Sequence, residues 1–302
     1  MSDPNEQPSV AIVMPAHNEG AVVARGLRAI LATAAPGEFH VVVVSNGSTD
    51  DTTTRAREAA AELPPMVSVL DIEVASKVAA LRAAEELLGG DPPDVRIYLD
   101  ADIVVDTSTL RTLAAAVHCG EPRLGLLRPD VDTSGSDLAV RAYYRAWSAL
   151  ARSRAQGSGA GVLAVNAAGA ARVSEWPAVL NDDGFVVRQF APHEKVQLEA
   201  TTRVFAPRSI TTTVKRRARV VNGNRQLDNR WPLPPGTAGS SVRIREIVDG
   251  VRRREIGGFD ATVYVAVTLA SRSLAAWRRR TGTADRWSHD IGSRKPAERQ
   301  QP

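Results

Sequence analysis

Short, β-branched apolar runs alternate with longer stretches of mixed character through the first hundred residues. Residues 10–14, 41–44, 67–72 and 97–99 are apolar on both faces, so each predicts a strand buried inside a sheet rather than one half-exposed on its surface. Between them, 21–33, 51–62 and 77–88 have the length and spacing of helices, and the STDD stretch at 48–51 offers acceptors to cap the second. Strand alternating with helix predicts a parallel sheet with helices on both faces. Such sheets meet ligands at the carboxyl ends of their strands. Attention therefore falls on 15–20, 45–50 and 100–102 before their chemistry is considered.

The second half is less regular. Residues 124–127 and 162–165 predict strands, 137–154 a helix rich in Tyr, Trp and Arg, and QGSGAG at 156–161 a glycine-rich turn. A basic segment at 215–219 runs on to GNRQ at 223–226, and PLPPGTAGSS at 232–241 has the composition of a linker. The apolar segment 259–277 is too short to span a bilayer; it predicts an amphipathic helix that either packs on the domain or rests on an anionic membrane surface. The last 20 residues are polar and predicted to be loosely ordered.

Composition narrows the function classes. Of 302 residues 43% are hydrophobic, enough for one large domain or two small ones. Cys119 is the single cysteine, which excludes a disulfide scaffold and a multi-thiolate zinc site. No run of roughly 18 apolar residues occurs, and the first residues, MSDPNEQPS, lack the basic-then-apolar order of a signal peptide. The expectation is a cytoplasmic protein. The net charge of +4 conceals a division: residues 1–140 hold 10 basic and 21 acidic side chains, and the remainder holds 28 and 13. A basic second half implies an anionic partner. Nucleic acid is not expected, for want of aromatic platforms or a recognition helix.

The strongest chemical feature is YLDADIVV at 98–105. Asp100 and Asp102 follow an apolar strand two residues apart, and in extended geometry they point the same way and share one hard cation with the oxygens of a diphosphate. Such a cation neutralises charge on a departing nucleoside diphosphate.

VAIVMPAHNEG at 10–20, VVVVSNGSTDDT at 41–52, SKVAAL at 76–81 and YLDAD at 98–102 occur in an order and spacing that resembles family 2 glycosyltransferases. The resemblance is strong over the first 105 residues and weaker through QGSGAG, the Asp182–Asp183 pair and GNRQL. It implies a GT-A fold: a mainly parallel, Rossmann-like α/β sheet flanked by helices, with a less regular acceptor-binding half. It also implies transfer of one sugar from a nucleotide-diphosphate donor to an acceptor hydroxyl, with inversion and a divalent Mg or Mn cation. The chain then divides into a catalytic domain at 1–231, comprising a nucleotide-sugar part (1–105) and an acceptor part (106–231). A linker at 232–241 and a helical extension at 242–302 follow.

The resemblance assigns roles residue by residue. Pro15, Ala16, His17, Asn18 and Glu19 form the first donor loop; Asn46, Gly47, Ser48 and Asp50 form the second. Ser45 stands where the family usually has an aspartate that binds a uracil-type base, which weakens a uridine-nucleotide assignment. Lys77, Asp100 and Ala101 lie beside the donor, and Asp102 coordinates the cation, with His193 a weaker third ligand. Asp183 is the general base positioned by Asp182, and Gly159 and Gly161 approach the acceptor, a saccharide or a lipid-linked one. Lys215, Arg216, Arg217 and Arg219 screen a diphosphate or form a solvated face. Trp231 resembles the end of the Q-x-x-R-W signature of processive synthases, but three residues separate Gln226 from Arg230, which favours single-sugar addition. The competing readings are a sugar-phosphate nucleotidyltransferase, whose basic glycine-rich first loop is missing from PAHNEG, and a non-catalytic nucleotide-sugar-binding relative. The basic half also allows peripheral contact with the inner face of the cell membrane.

Overall fold

The computed structural model describes residues 8–63, 66–152, 161–233 and 244–283. The elements in chain order are β1 (Val10–Ala16), α1 (Val23–Leu31), β2 (Phe39–Asn46), α2 (Thr52–Glu62), β3 (Val67–Ile72), α3 (Lys77–Leu88), β4 (Val95–Leu99), α4 (Thr107–Val117) and β5 (Leu124–Asp132). They continue as α5 (Leu138–Arg152), β6 (Val162–Asn166), α6 (Ala167–Ala170), α7 (Asp182–Arg188), β7 (Lys195–Phe205), α8 (Ile210–Arg230), α9 (Ile244–Arg252) and α10 (Gly258–Arg280). A single 3-10 turn, Pro192–Glu194, precedes β7.

The chain divides into two compact units. The first comprises residues 1–129, 158–178 and 186–203 and holds the sheet. Its strand order is β3-β2-β1-β4-β6-β5-β7 among the described residues. β3, β2, β1 and β4 run parallel, whereas β6 is antiparallel to both β4 and β5. The expected mainly parallel sheet is therefore present, with one reversed strand inserted. β1 and β4 are buried along their whole lengths, which is why their apolar residues alternate on neither face; Arg96, inside β4, is buried with its charge met by Glu85. Because β2 and β3 extend to one side of β1 and β4 lies on the other, the strand order reverses between β1 and β4. That switch point is where an open α/β sheet leaves a crevice at its carboxyl ends.

Helix α3 occupies the expected 77–88, entered through Ser76, whose side chain accepts the Ala79 amide. Asp51 makes no side-chain cap on α2; Asp50 accepts the Thr52 amide instead, at 3.0 Å. Helix α4 and strand β7 are among the elements with no counterpart in the sequence reading. Helix α4 starts from Asp106, whose carboxylate accepts the Thr109 amide at 2.7 Å. Strand β7 alternates residue by residue in KVQLEATTRVF, a period-2 signal masked by its polar content.

The second unit comprises residues 130–157, 179–185 and 204–302. Helices α5, α8, α9 and α10 supply its core, in which Tyr143, Ala146, Leu150, Ile256, Tyr264 and Val267 pack together. The rings of Tyr143 and Tyr264 stack at 5.3 Å. Arg145 grips Asp260 through two hydrogen bonds of 2.9 and 2.7 Å, joining α5 to α10. The basic segment expected at 215–219 lies inside the long helix α8, capped by Ser209. Most of the expected linker, at 234–241, lies outside the described residues.

Candidate active site

Within the first unit, the loops after β1 and β2 are fastened to each other. The Asn18 amide donates to Ser48 Oγ (3.2 Å), and Asn18 Oδ1 accepts the Thr49 amide (2.8 Å). Asn18 holds φ at 54°, a left-handed conformation that asparagine tolerates better than most residues. His17 Nδ1 donates to the Asn46 carbonyl at 2.5 Å, and Glu19 presents its amide to Thr52 Oγ1 at 2.7 Å. Asn46 donates through Nδ2 to the Ala16 carbonyl (2.9 Å) and accepts the Ser76 amide on Oδ1 (3.2 Å), so one buried side chain joins three loops.

Asp50 is held by the Thr52 hydroxyl and amide and by the Gly20 amide, the last at 3.2 Å. Partial burial pushes its carboxyl up, but these hydrogen bonds outweigh burial and hold it below the ordinary value of 3.8. Gly47 has φ of 60°, and a Cβ there would lie 2.7 Å from the Ala75 amide nitrogen, so only glycine fits. Ser45 is fully buried in a chain of neutral hydroxyls: it donates to Ser48 Oγ (3.0 Å) and accepts from Thr53 Oγ1 (2.7 Å).

Strand β4 ends at Leu99, and the Ile103 amide returns to the Asp100 carbonyl at 3.0 Å. Asp100 and Asp102 therefore sit on a turn, which corrects the expectation of extended geometry: the chain reverses as soon as it leaves the sheet. The helix that follows takes its cap from Asp106, so neither Asp100 nor Asp102 fills that role. Lys77 Nζ lies 2.6 Å from Asp100 Oδ1, both side chains being about one-quarter to one-third exposed. Gly161 closes the other side. Its carbonyl accepts the Asp100 amide (2.9 Å), its φ is 76°, and a Cβ would meet Asp100 Oδ2 at 3.0 Å. Ala101 is buried and Asp102 is half-buried.

A buried tie sets the register of α3 against β4. Glu85 accepts from Arg96 Nε (3.0 Å) and from the Tyr98 hydroxyl (2.7 Å). This tie orients the helix whose first residue is Lys77 on the strand that delivers Asp100. Sequence reasoning missed Glu85, since nothing in the chain order pairs it with β4.

The residues present fit a divalent cation of a particular kind. Among the described residues no group of three or more His, Cys, Asp or Glu side chains is placed to hold a metal, so His193 does not complete a set with Asp100 and Asp102. His193 lies exposed in the 3-10 turn, beside Glu194, which Arg172 engages at 2.8 and 2.9 Å. One or two carboxylates without a protein cage suit Mg²⁺ or Mn²⁺ that completes its shell with phosphate oxygens and water.

In the second unit, Asp182 and Asp183 form the first turn of α7, where the helix dipole favours carboxylates. The turn is braced from α8: Asn224 accepts from Asn181 Nδ2 (2.7 Å), and Gln226 accepts the Leu180 amide (3.0 Å). Asn181 Oδ1 in turn accepts the Gly184 amide at 3.0 Å. Trp231 meets Phe185 edge-on at 5.3 Å, and the Arg230 guanidinium lies 4.8 Å from the Trp231 ring centre. Gln226 and Trp231 thus both act on the start of α7. Lys215 and Arg216 are exposed on α8, Arg217 and Arg219 half-buried. Gly157, Ser158 and Gly159 lie outside the described residues.

The family model described as "Glycosyl transferase family 2" matches residues 11–186, more than half of the chain. The chain belongs to glycosyltransferase family 2, which sets aside the nucleotidyltransferase reading. A search of curated protein sequences finds no match. Among solved structures, the chain is similar to a mannosyltransferase, PcManGT from Pyrobaculum calidifontis, in complex with GDP-Man and Mn²⁺. That likeness has a TM-score of 0.67 at 16% identity, over 92% of this chain and 89% of the other. It is also similar to glucosyl-3-phosphoglycerate synthase from Mycobacterium tuberculosis, in complex with Mn²⁺, UDP and glucosyl-3-phosphoglycerate. There the TM-score is 0.53 at 17% identity, over 77% of this chain and 83% of the other. These likenesses show the GT-A fold.

Proposed function

We propose that the protein is an inverting glycosyltransferase that moves one hexose from a nucleotide-diphosphate donor to an acceptor hydroxyl, in polysaccharide or glycolipid synthesis. The observation that carries this reading is the ion pair of Lys77 with Asp100 at the switch point, beside two loops locked together by their own side chains. Pro15, Ala16, His17, Glu19, Asn46, Gly47, Ser48 and Asp50 form the wall for the nucleoside, preorganised before a ligand arrives. The neutral hydroxyls around Ser45 favour a donor base other than uracil. Lys77 orients Asp100 toward the ribose side, and Ala101 lies between it and Asp102.

Asp102 would hold the Mg or Mn cation, which when bound offsets the charge that develops on the leaving diphosphate. Both solved relatives carry Mn²⁺ together with a nucleotide or nucleotide sugar, which supports a divalent cation and a nucleotide-diphosphate donor. Asp183 takes the proton from the acceptor hydroxyl and Asp182 positions it, with Gly159 and Gly161 on the acceptor side. The acceptor is a saccharide or a lipid-linked saccharide, and the protein is cytoplasmic, its basic second half allowing peripheral contact with the inner face of the cell membrane. In the domain division that follows, 1–231 is catalytic and 242–302 is a helical extension.

A thermal-shift screen of nucleoside diphosphates with Mg²⁺ or Mn²⁺ tests the donor side, because a ligand that binds the folded state raises Tm. A metal-dependent rise with at least one diphosphate is expected, weakest for UDP. Incubation with the matching nucleotide sugar and NMR of the product should then show an inverted anomeric centre. A retained centre, or no metal-dependent shift with any diphosphate, would reject the reading.

A further inference from the structure

Helix α10 has two apolar faces, and the unit covers only one. Ala261, Tyr264, Val267, Ser271 and Ala275 are buried against the other helices. Phe259, Val265, Leu269 and Trp277 are exposed, at 65%, 39%, 58% and 58%. At about 100° per residue each set spans an arc of about 120°, and the two arcs are centred about 160° apart. The outward stripe, from Phe259 to Trp277, is about 27 Å long at the helical rise. The residues between its large side chains are small, among them Thr262, Ala266 and Ser273.

The charges beside this stripe have one sign. Arg272 and Arg280 are exposed beside it on the same helix, whereas Arg279 turns to Asn222 of α8 and the single carboxylate of the helix, Asp260, is turned to Arg145. Helix α9 repeats only the apolar part of the pattern: Ile244, Val248 and Val251 are exposed at i, i+4 and i+7, whereas its arginines stand beside carboxylates, Arg252 near Asp249 and Arg254 before the exposed Glu255. A second copy of the chain is a poor occupant, because an isologous contact through the α10 stripe would set Arg272 and Arg280 against themselves, the one carboxylate of that helix being held by Arg145. The complement is a partner that is apolar inside, anionic at its surface, and long enough for a helix to lie flat on it.

We infer that the outward face of α10 is a docking surface for an anionic lipid bilayer. Phe259, Leu269 and Trp277 enter the boundary between headgroups and acyl chains, and Arg272 and Arg280 pair with lipid phosphates. The helix lies in the interface rather than crossing it, and among the described residues no helix is long and apolar enough to cross a membrane. This inference stands on the helix alone and does not depend on which sugar is moved.

Flotation of the full chain with vesicles tests it. The protein should float with vesicles of phosphatidylcholine and phosphatidylglycerol, and remain at the bottom with phosphatidylcholine alone. Leu269→Gln/Trp277→Gln should lower the partition coefficient by about tenfold or more. Arg272→Glu/Arg280→Glu should lower it by at least roughly fivefold per charge, and raising the salt should do the same to the parent protein. Both pairs are exposed, so their melting curves and transfer to a soluble acceptor should match the parent, which separates this test from that of the transfer reaction. Absence of flotation on anionic vesicles would overturn the inference, as would flotation that ignores the Leu269 and Trp277 changes. Sedimentation showing a dimer that the same changes disperse would assign the face to a second copy instead.

Discussion

The two units handle their polar side chains in opposite ways. At the carboxyl ends of β1, β2 and β4, Asn18, Asn46, Ser48, Asp50, Lys77 and Asp100 are each committed to a neighbouring loop at hydrogen-bond distance. In the helical unit, arginines and large apolar groups of α9 and α10 remain on the surface. The first arrangement fixes geometry in advance, as a site for a small charged ligand requires. The second leaves a broad face adaptable, as a lipid surface allows. The charge asymmetry acquires a structural meaning: in the first unit carboxylates such as Asp50 and Asp100 fasten loops to one another, and in the second the arginines of α9 and α10 face outward.

Substitutions can sharpen or break this contrast. The largest effect is expected at Asp183, where Asp183→Asn should lower turnover by about 10²- to 10⁴-fold while nucleoside diphosphate binding, read by thermal shift, persists. Asp102→Asn should do the reverse, weakening metal-dependent donor binding first. Near-normal transfer by the Asp183 variant would remove it from the role of base.

Next is the tie beneath the site. Glu85→Ala leaves the Arg96 guanidinium, whose side chain is only 9% exposed, without its carboxylate. Breaking such a buried pair should cost about 3 kcal/mol in urea unfolding. KM for the donor should rise with it, because α3 carries Lys77. Unchanged donor affinity would mean that Lys77 finds Asp100 without help from this tie.

The smallest effect concerns acid. The Asp50 carboxyl lies below its ordinary value of 3.8, held there by Thr52 and Gly20 against partial burial. Its contribution to stability is complete above the unfolded value and fades as the pH falls through the lower folded one. The Tm deficit of Asp50→Asn should therefore be present at neutral pH and close as the pH drops toward that range. A deficit independent of pH would show that the side chain acts by shape alone.

Much of the first unit was legible because its signals are local. A buried strand followed by a glycine or carboxylate turn announces itself within six or seven residues, and Ser76 before Lys77 marks a helix start with one side chain. The pairing of Lys77 with Asp100 was not legible, although both residues stood out. It depends on β4 returning to the far side of β1, and strand order is a long-range property. The partners of Glu85, Asn224 and Gln226 were hidden for the same reason, since they lie on other elements. Helix α10 presents a different difficulty: apolar residues on two of its faces satisfy both packing and surface contact, and periodicity alone does not choose. The structure buries one face and leaves the other exposed.

The Asn46–Gly47 step has a further consequence, for ageing. An asparagine followed by glycine is chemically fragile, because the next backbone nitrogen attacks the side-chain carbonyl to form a cyclic imide. Here the Gly47 amide is engaged by the Ile72 carbonyl at 2.7 Å, and the Asn46 amide group is pinned between Ala16 and Ser76. The contacts that shape the loop thereby also shield it from spontaneous deamidation. Resistance to ageing at this step and the order of the loop after β2 rest on the same few hydrogen bonds.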